Sequence, residues 1–387
     1  MVLFLFMIGA LLFMSLVLVH EWGHFIAARK NGVEVEEFGL GFPPRARSLG
    51  RKNGTEYTLN WLPLGGFVKL KGEHDADTTK GSFGAASLKA KTLIMLAGVG
   101  MNLVVAYVLF IVVALIGMPN VIPNQFTVAS DTKIIRDYDN KGVIAVGDVL
   151  KGTPAEKAGI QVDDQIVSIN GTNIAASENL SALTKSLAGK EVSIAIKHGD
   201  KTEVKKVVLN TSSPNLGVST YSAESGIQLR RSTWSAPIVA AGVTRDFTVA
   251  TFKGLGSALK GLGGLIAGGL TGNKEARQAG QTSASSQVAG PIGIVQTLYE
   301  GSKLGAGFML FIIAIISLTL AIMNVLPIPA LDGGRLYTML LFRAAKKPLT
   351  QSLEERIQFA GMGILMTLIL LVTIVDINRV IQTGRLF

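Results

Sequence analysis

The sequence predicts a polytopic α-helical membrane protein. It has four transmembrane helices, a membrane-associated β-hairpin or sheet segment after the first, and a small soluble α+β domain inserted between the second and third. Three observations carry this. Mean hydropathy over the 387 residues is +0.42 and 48% are hydrophobic, a balance that favours a membrane protein over a soluble enzyme. Four apolar stretches reach the roughly 20 residues that a bilayer-spanning helix needs, and none has a lysine or arginine in its middle. Between the second and third lie polar, alternating, turn-rich residues of the kind that fold as a soluble domain.

The first span, residues 1–28, opens on MVLFLFMIGALLFMSLVLV. No basic residue precedes it and no small-x-small cleavage site follows. At about 18 residues the run is also long for a signal-peptide core, so a retained helix is expected. Residues 29–91 are not plain linker: FGLGFPPRARSL and TEYTLNWLPLGGFVKL alternate like strands, broken by Gly and Pro. Strand edges near lipid are costly unless they sit in protein or line a wet cavity. A sheet or re-entrant hairpin beside the site is therefore expected. The second span covers 92–118.

Residues 126–212 form the soluble domain. VIAVGDVL and VSIAIKHG read as strands, TPAEKAGI and SENLSALTKSL as helices, and QIVSINGTNI as a strand entering an Asn-Gly turn. Residues 230–304 combine an amphipathic, interfacial segment with a linker. FKGLGSALKGLGGLIAGGL sets Leu255, Leu259, Leu262, Ile266 and Leu270 near helical spacing. That suits a helix lying flat on the outer membrane surface, or equally one packed on the spans. NKEARQAGQTSASSQ is the linker. The third span covers 305–331 and the fourth 357–377.

Basic residues number 37 against 27 acidic, a net charge of +10. Arg29, Lys30, Arg45, Arg47, Arg51 and Lys52 stand between spans one and two. Arg335, Arg343, Lys346, Lys347 and Arg356 stand between spans three and four, and none precedes span one. Both short loops are therefore expected in the cytoplasm, with both termini and the long middle segment outside. These flanks account for the excess charge. No basic stripe interleaved with aromatics supports nucleic-acid binding. The absence of cysteine excludes disulfides, thiolate nucleophiles and Cys-ligated metal.

LVLVHEWGHF closes the first span with His20 and His24 four apart, on one helix face. Two neutral imidazoles at that spacing can share one zinc, and Glu21 beside them can take a proton from the water that zinc activates. The alternative is a pair of interfacial histidines satisfied by hydrogen bonds. A hydrolytic zinc site takes a third protein ligand. His74 and His198 stand in polar stretches without a partner motif and read as surface residues. A carboxylate is left, and Asp332 in NVLPIPALDGGR is the best-placed acid, reaching the same cytoplasmic side as His24 by the charge rule. Pro327 and Pro329 break the helix before it, and the glycines after it permit close backbone approach. The simpler reading makes Asp332 a helix-end residue.

HEWGH closing a first span and NVLPIPALDGG closing a third resemble the site-2 protease family of intramembrane zinc metalloproteases. FGLGF, LGGFVKL, AGVGMN and GPIGI, in that order, are similar to further signatures of that family. GTPAEKAGIQVDDQIVSINGTNI resembles a PDZ domain, as in the bacterial sigma-factor-regulating members. The resemblance implies one Zn2+ per chain held by His20, His24 and Asp332, with Glu21 as catalytic acid/base. It implies Asn324 as a substrate-contacting group, the other reading being a helix–helix hydrogen bond. It also implies that the strand through Gly65, Gly66, Phe67 and Val68 pairs with an unwound substrate helix. Such strand addition exposes a scissile bond without orphaning amides.

The implied substrates are single-span membrane proteins in the lipid bilayer, such as anti-sigma factors and remnant signal peptides, cut after an upstream site-1 protease. The implied setting is the bacterial inner membrane, with the active site toward the cytoplasm and the PDZ domain outside. That domain binds an extended peptide along an edge offered by GVIAV from Gly142, or else acts as a plug that excludes large ectodomains. The chain departs from the family in having one PDZ domain where many relatives have two. It also has Val99 in place of a proline, and Asp163-Asp164 in place of Gly-Asp. Rival readings are a metal-ion transporter, which predicts internal repeats and polar residues along the spans, and a catalytically silent PDZ scaffold, which predicts a damaged zinc motif.

Overall fold

The computed structural model describes residues 2–137, 144–150, 152–162, 164–174, 177–198, 201–212, 214–222, 228–271 and 290–383. Asp163, Gly142 and the expected linker at 273–287 lie outside the described residues. In chain order the first elements are α1 (Val2–Lys30), β1 (Val35–Lys52), β2 (Thr55–Leu70), α2 (Leu88–Ile116), β3 (Met118–Asn120), β4 (Lys133–Asp137) and β5 (Ile144–Val149). Next come α3 (Pro154–Lys157), β6 (Gln165–Ile169), β7 (Thr172–Asn173), α4 (Ser177–Ser186), β8 (Glu191–His198), β9 (Lys201–Val208), β10 (Val218–Ser222) and β11 (Gln228–Arg231). The chain closes with α5 (Ala236–Thr271), α6 (Pro291–Lys303), α7 (Ala306–Val325), α8 (Asp332–Ala344) and α9 (Gln351–Thr383). They form two compact units: Met1–Met118 with Gln125–Thr132 and Arg231–Phe387, and Pro119–Asn124 with Lys133–Arg230.

The first unit holds four helices long and apolar enough to cross a membrane: α1, α2, α7 and α9. A helix closes its own backbone hydrogen bonds, which is what lipid demands. α2 starts where Ser87 caps it, its hydroxyl accepting from Ala90 N–H at 3.2 Å. Of the apolar stretch expected as a span at 305–331, α7 takes residues 306–325. α7 stops at Val325, because Leu326 precedes a proline and takes an extended conformation. The chain then turns through Ala330, at φ 81°, and restarts as α8 at Asp332.

The stretch expected at 230–304 also differs from its outline. α5 begins at Ala236, and its first half packs on α2 and α7, burying Val239, Ala240 and Val243 and stacking Phe247 on Phe110. Residues 125–132, expected in the soluble domain of 126–212, fold with the helices instead. Asp131 accepts from Thr233 N–H at 2.7 Å and Ser235 N–H at 3.0 Å, capping the approach to α5.

β1 and β2 pair antiparallel, folded back on themselves. Residues 37–40 pair with 66–69 on one side and with 56–59 on the other, while 45–52 pair with 55–60. Among the described residues, 66–70 therefore has a strand partner on one side only. Phe38 and Tyr57 carry this ribbon onto α1, packing with Trp22 and Phe25 at ring separations of 5.7 to 6.4 Å.

The second unit has a sheet of order β10-β5-β6-β8-β9, with β7 on β6. Inward residues make its core: Ile144 and Val146 alternate in β5, as do Val192, Ile194 and Ile196 in β8, while a bulge between Ile166 and Ser168 puts Ile166 and Ile169 on the same face of β6. Asn170 and Gly171, at φ 49° and 80°, make the β6–β7 turn, as Asn-Gly pairs do. The edge expected from GVIAV is not an edge. Its residues 144–146 lie in β5, which is flanked by β10 and β6, so the outer strand on that side is β10.

Candidate metal centre

His20 and His24 face one way from α1 because they are four residues apart, and both are nearly buried, at 8% and 7% exposure. Asp332 opens α8, held by the turn before it. A Cβ on Gly333 or Gly334 would strike the carbonyls of Val325, Leu326 and Ile328, so only glycines let α8 start this close to the turn. The three side chains converge. His20 Nε2 lies 3.0 Å and His24 Nε2 3.2 Å from Asp332 Oδ2, and the two Nε2 atoms are 3.1 Å apart. Among the described residues this is the only such group of three His, Cys, Asp or Glu side chains.

The arrangement fits zinc. Tetrahedral ligation at about 2.0–2.1 Å sets ligand atoms ~3.3 Å apart, close to what is seen here, and two imidazoles with a carboxylate are a usual zinc donor set. His24 is oriented for it: its Nδ1 lies 2.8 Å from Ile94 O. A carbonyl only accepts, so Nδ1 carries the proton and Nε2 keeps its lone pair. His20 Nδ1 lies 3.2 Å from the Asn102 amide. α2 reaches the site through glycines. A Cβ on Gly98 would lie 2.5 Å from His24 Nε2 and 2.6 Å from His20 Nε2, and one on Gly23 would lie 2.6 Å from Ala97 O.

Glu21 turns toward β2, where its Oε2 accepts from Val68 N–H at 3.2 Å. Gly65 and Gly66 lie against Val17 and Leu18 of α1, and the Phe67 ring lies over Gly39. The edge through residues 65–68 thus runs beside the helix that carries HEWGH. Asn324 donates to Leu320 O, one turn back in its own helix, at 3.0 Å; none of its described hydrogen bonds reaches the histidines or Asp332. His74 and His198 pair with carboxylates, Glu355 at 3.4 Å and Asp164 at 2.6 Å.

Behind Asp332 is a charged network. Arg335, one turn along α8, donates from Nε to Glu354 Oε1 at 3.1 Å and from Nη2 to the Glu73 carbonyl. Glu354 is 3% exposed and also accepts from Asp75 N–H at 3.0 Å. Burial alone would raise the Asp75 carboxyl, but hydrogen bonds from Lys91 and Arg343 hold it below the usual aspartate range. Sequence reasoning singled out neither this network nor Gly98 and Asn102. The last two stand four apart in AGVGMN, a spacing that puts them on one helix face and was legible.

Comparison with known proteins follows the same lines. The pattern of Peptidase family M50 matches residues 8–368. A protein of Clostridium perfringens named as a zinc metalloprotease is 32% identical over 378 residues, covering 96% of this chain and 98% of its own. A protein of Enterococcus faecalis named as the protease Eep is 23% identical over 459 residues, covering 95% and 97%. Among solved structures, the PDZ domain of an SdrC-like protein from Listeria monocytogenes is 27% identical. It covers 21% of this chain and 87% of that one, with a TM-score of 0.19.

Proposed function

The chain belongs to peptidase family M50, the site-2 proteases, and is a zinc metalloendopeptidase; from that premise we propose that it cuts single-span membrane proteins within or near the bilayer, with His20, His24 and Asp332 holding one Zn2+ and Glu21 moving the proton. The observation that carries the reading is the convergence of three ligand atoms within 3.0 to 3.2 Å, beside a carboxylate, with both histidines and Glu21 on α1, a helix apolar enough to span lipid. When bound, zinc supplies a Lewis acid and an activated water. The chain's own residues supply the rest.

A transmembrane substrate hides its scissile bond inside its own helix. The outer edge at 66–70 can take an unwound segment as an added strand, which satisfies the freed amides and lays the bond beside α1. Glu21 is already hydrogen-bonded to that strand at Val68, so its carboxylate stands where the paired backbone would run. Asn324 keeps its side-chain oxygen for substrate, its amide being tied to Leu320 O.

The proposal includes a bacterial inner membrane, both termini outside and the metal site toward the cytoplasm, as the basic residues flanking the spans support. Water then reaches the site through protein. Anti-sigma factors and remnant signal peptides are the proposed substrate classes, cut after an upstream site-1 protease. The inserted unit is proposed as an extracytoplasmic PDZ domain that captures a peptide along β10 or filters by ectodomain size.

The test is cleavage of a reconstituted single-span substrate by wild type and by Glu21→Gln, with zinc quantified in both. Cleavage by wild type alone, with zinc retained in both, is expected. A wild type without zinc, or a Glu21→Gln variant that still cleaves, refutes the assignment.

A further inference from the structure

One buried polar side chain beside the metal centre is only half used. Asn102 lies on α2 one turn after Gly98 and is 1% exposed. Its Nδ2 lies 3.2 Å from His20 Nδ1, while its Oδ1 is buried with no hydrogen-bond partner. Its backbone is fixed: the Asn102 carbonyl accepts from Ser317 Oγ at 2.8 Å, and Ser317 on α7 is wholly buried. The amide is therefore held at the ring. A half-turn of the side chain exchanges its oxygen and nitrogen without moving the helix.

We propose that Asn102 is a positioning residue for the zinc site: its side-chain oxygen accepts the Nδ1–H of His20 and so leaves His20 Nε2 as a lone-pair donor to the metal. This rests on the zinc assignment above. His24 is the internal comparison, since Ile94 O enforces that tautomer there. Among the described residues, no backbone carbonyl does the same for His20, whose Nδ1 is hydrogen-bonded to Asn102 alone.

An amide serves either tautomer. With Nδ2 toward the ring, Nδ1 accepts and the ring proton sits on Nε2, facing Asp332 Oδ2 at 3.0 Å. With Oδ1 toward the ring, the proton sits on Nδ1 and Nε2 is free. Either way one end of the amide is unpaired, so the amide does not choose; the ligand's need for a lone pair does. A carboxylate at position 102 would permit only the second arrangement, and a hydrocarbon would support neither.

The experiment measures zinc dissociation by competition with a chelator, using the full chain in detergent, alongside the thermal unfolding midpoint. Wild type should hold zinc and His24→Ala should lose it; a wild type without zinc overturns the site assignment itself. Given that site, Asn102→Leu should bind zinc about 10–100-fold more weakly with its unfolding midpoint unchanged. Asn102→Asp should bind at least as tightly as wild type. A packing role predicts the reverse order, with the apolar leucine tolerated and the buried carboxylate worse. Wild-type affinity in a folded Asn102→Leu, or equal loss in both variants, overturns this inference alone. Should the leucine variant not fold, histidine 15N NMR of the zinc-loaded wild type decides. A proton on His20 Nδ1 supports the proposal, and a proton on Nε2 overturns it.

Discussion

Replacing Gly98 by alanine adds one methyl group and should disable the metal centre. The added Cβ would lie 2.5 Å from His24 Nε2 and 2.6 Å from His20 Nε2, whereas ordinary contact begins at 3.4 Å. The overlap is thus about 0.9 Å against the two atoms that would ligate the metal. Neither ring can simply rotate away, because Ile94 O and the Asn102 amide hold their other nitrogens. The helix must retreat or the ligand atoms must separate, by roughly 1 Å. Overpacking of this kind costs typically 1–3 kcal/mol, and a 1 Å misplacement of reacting groups costs about 100-fold in rate, equivalent to about 2.7 kcal/mol. The assay is zinc content and cleavage of a reconstituted single-span substrate, with the unfolding midpoint as control. A Gly98→Ala variant that keeps wild-type zinc affinity and turnover would refute the close approach of α2 to both rings.

Four further outcomes are expected. Asp332→Ala should lose zinc as well as activity, because two imidazoles alone hold the metal weakly; full metal occupancy in that variant would show the wrong third ligand. Glu354→Ala removes a buried partner of Arg335 and should lower unfolding stability by about 1.5–3 kcal/mol, the range for losing a hydrogen bond to a charged group, because Arg335 is left partly exposed and keeps the Glu73 carbonyl. An unchanged midpoint would remove that network from the account. Asp75 is held below the usual aspartate range, so its contribution is fully present above the unfolded value and drains away as pH falls through the folded one. Asp75→Asn should accordingly flatten the acid limb of stability below about pH 4 and leave stability lower above it; an acid limb as steep as wild type would exclude this carboxyl as its source. Excising residues 133–230 should leave cleavage of an already trimmed substrate and relax selection by ectodomain size. Loss of the trimmed cleavage would defeat the filter reading.

Much of the helical architecture was legible because its signals are local. The continuous apolar runs marked α1, α2, α7 and α9, and the four-residue spacing of His20 and His24 fixed their shared face. The Asn-Gly pair at 170–171 marked its turn. The end of the third apolar helix was legible from Pro327 and Pro329, but the start of the next helix at Asp332 depends on glycines packed against carbonyls of the preceding turn. The grouping of residues 125–132 with the helices was not legible, since Asp131 finds its partners a hundred residues later at Thr233 and Ser235.

By itself, then, the sequence determined the apolar segments, the chemical types available to a metal and the side of the chain on which they emerge, because hydropathy and helical period are properties of neighbouring residues. Only the tertiary structure brought a carboxylate against the two histidines, for Asp332 meets His20 from 312 residues away. It also decided that β10 rather than β5 is the outer strand, that Glu21 is tied to Val68, and that Gly98 and Asn102 bring α2 against the histidines. Each of these is a contact of a few ångströms between segments far apart in the chain, set by how the helices and strands pack rather than by any pattern within one of them.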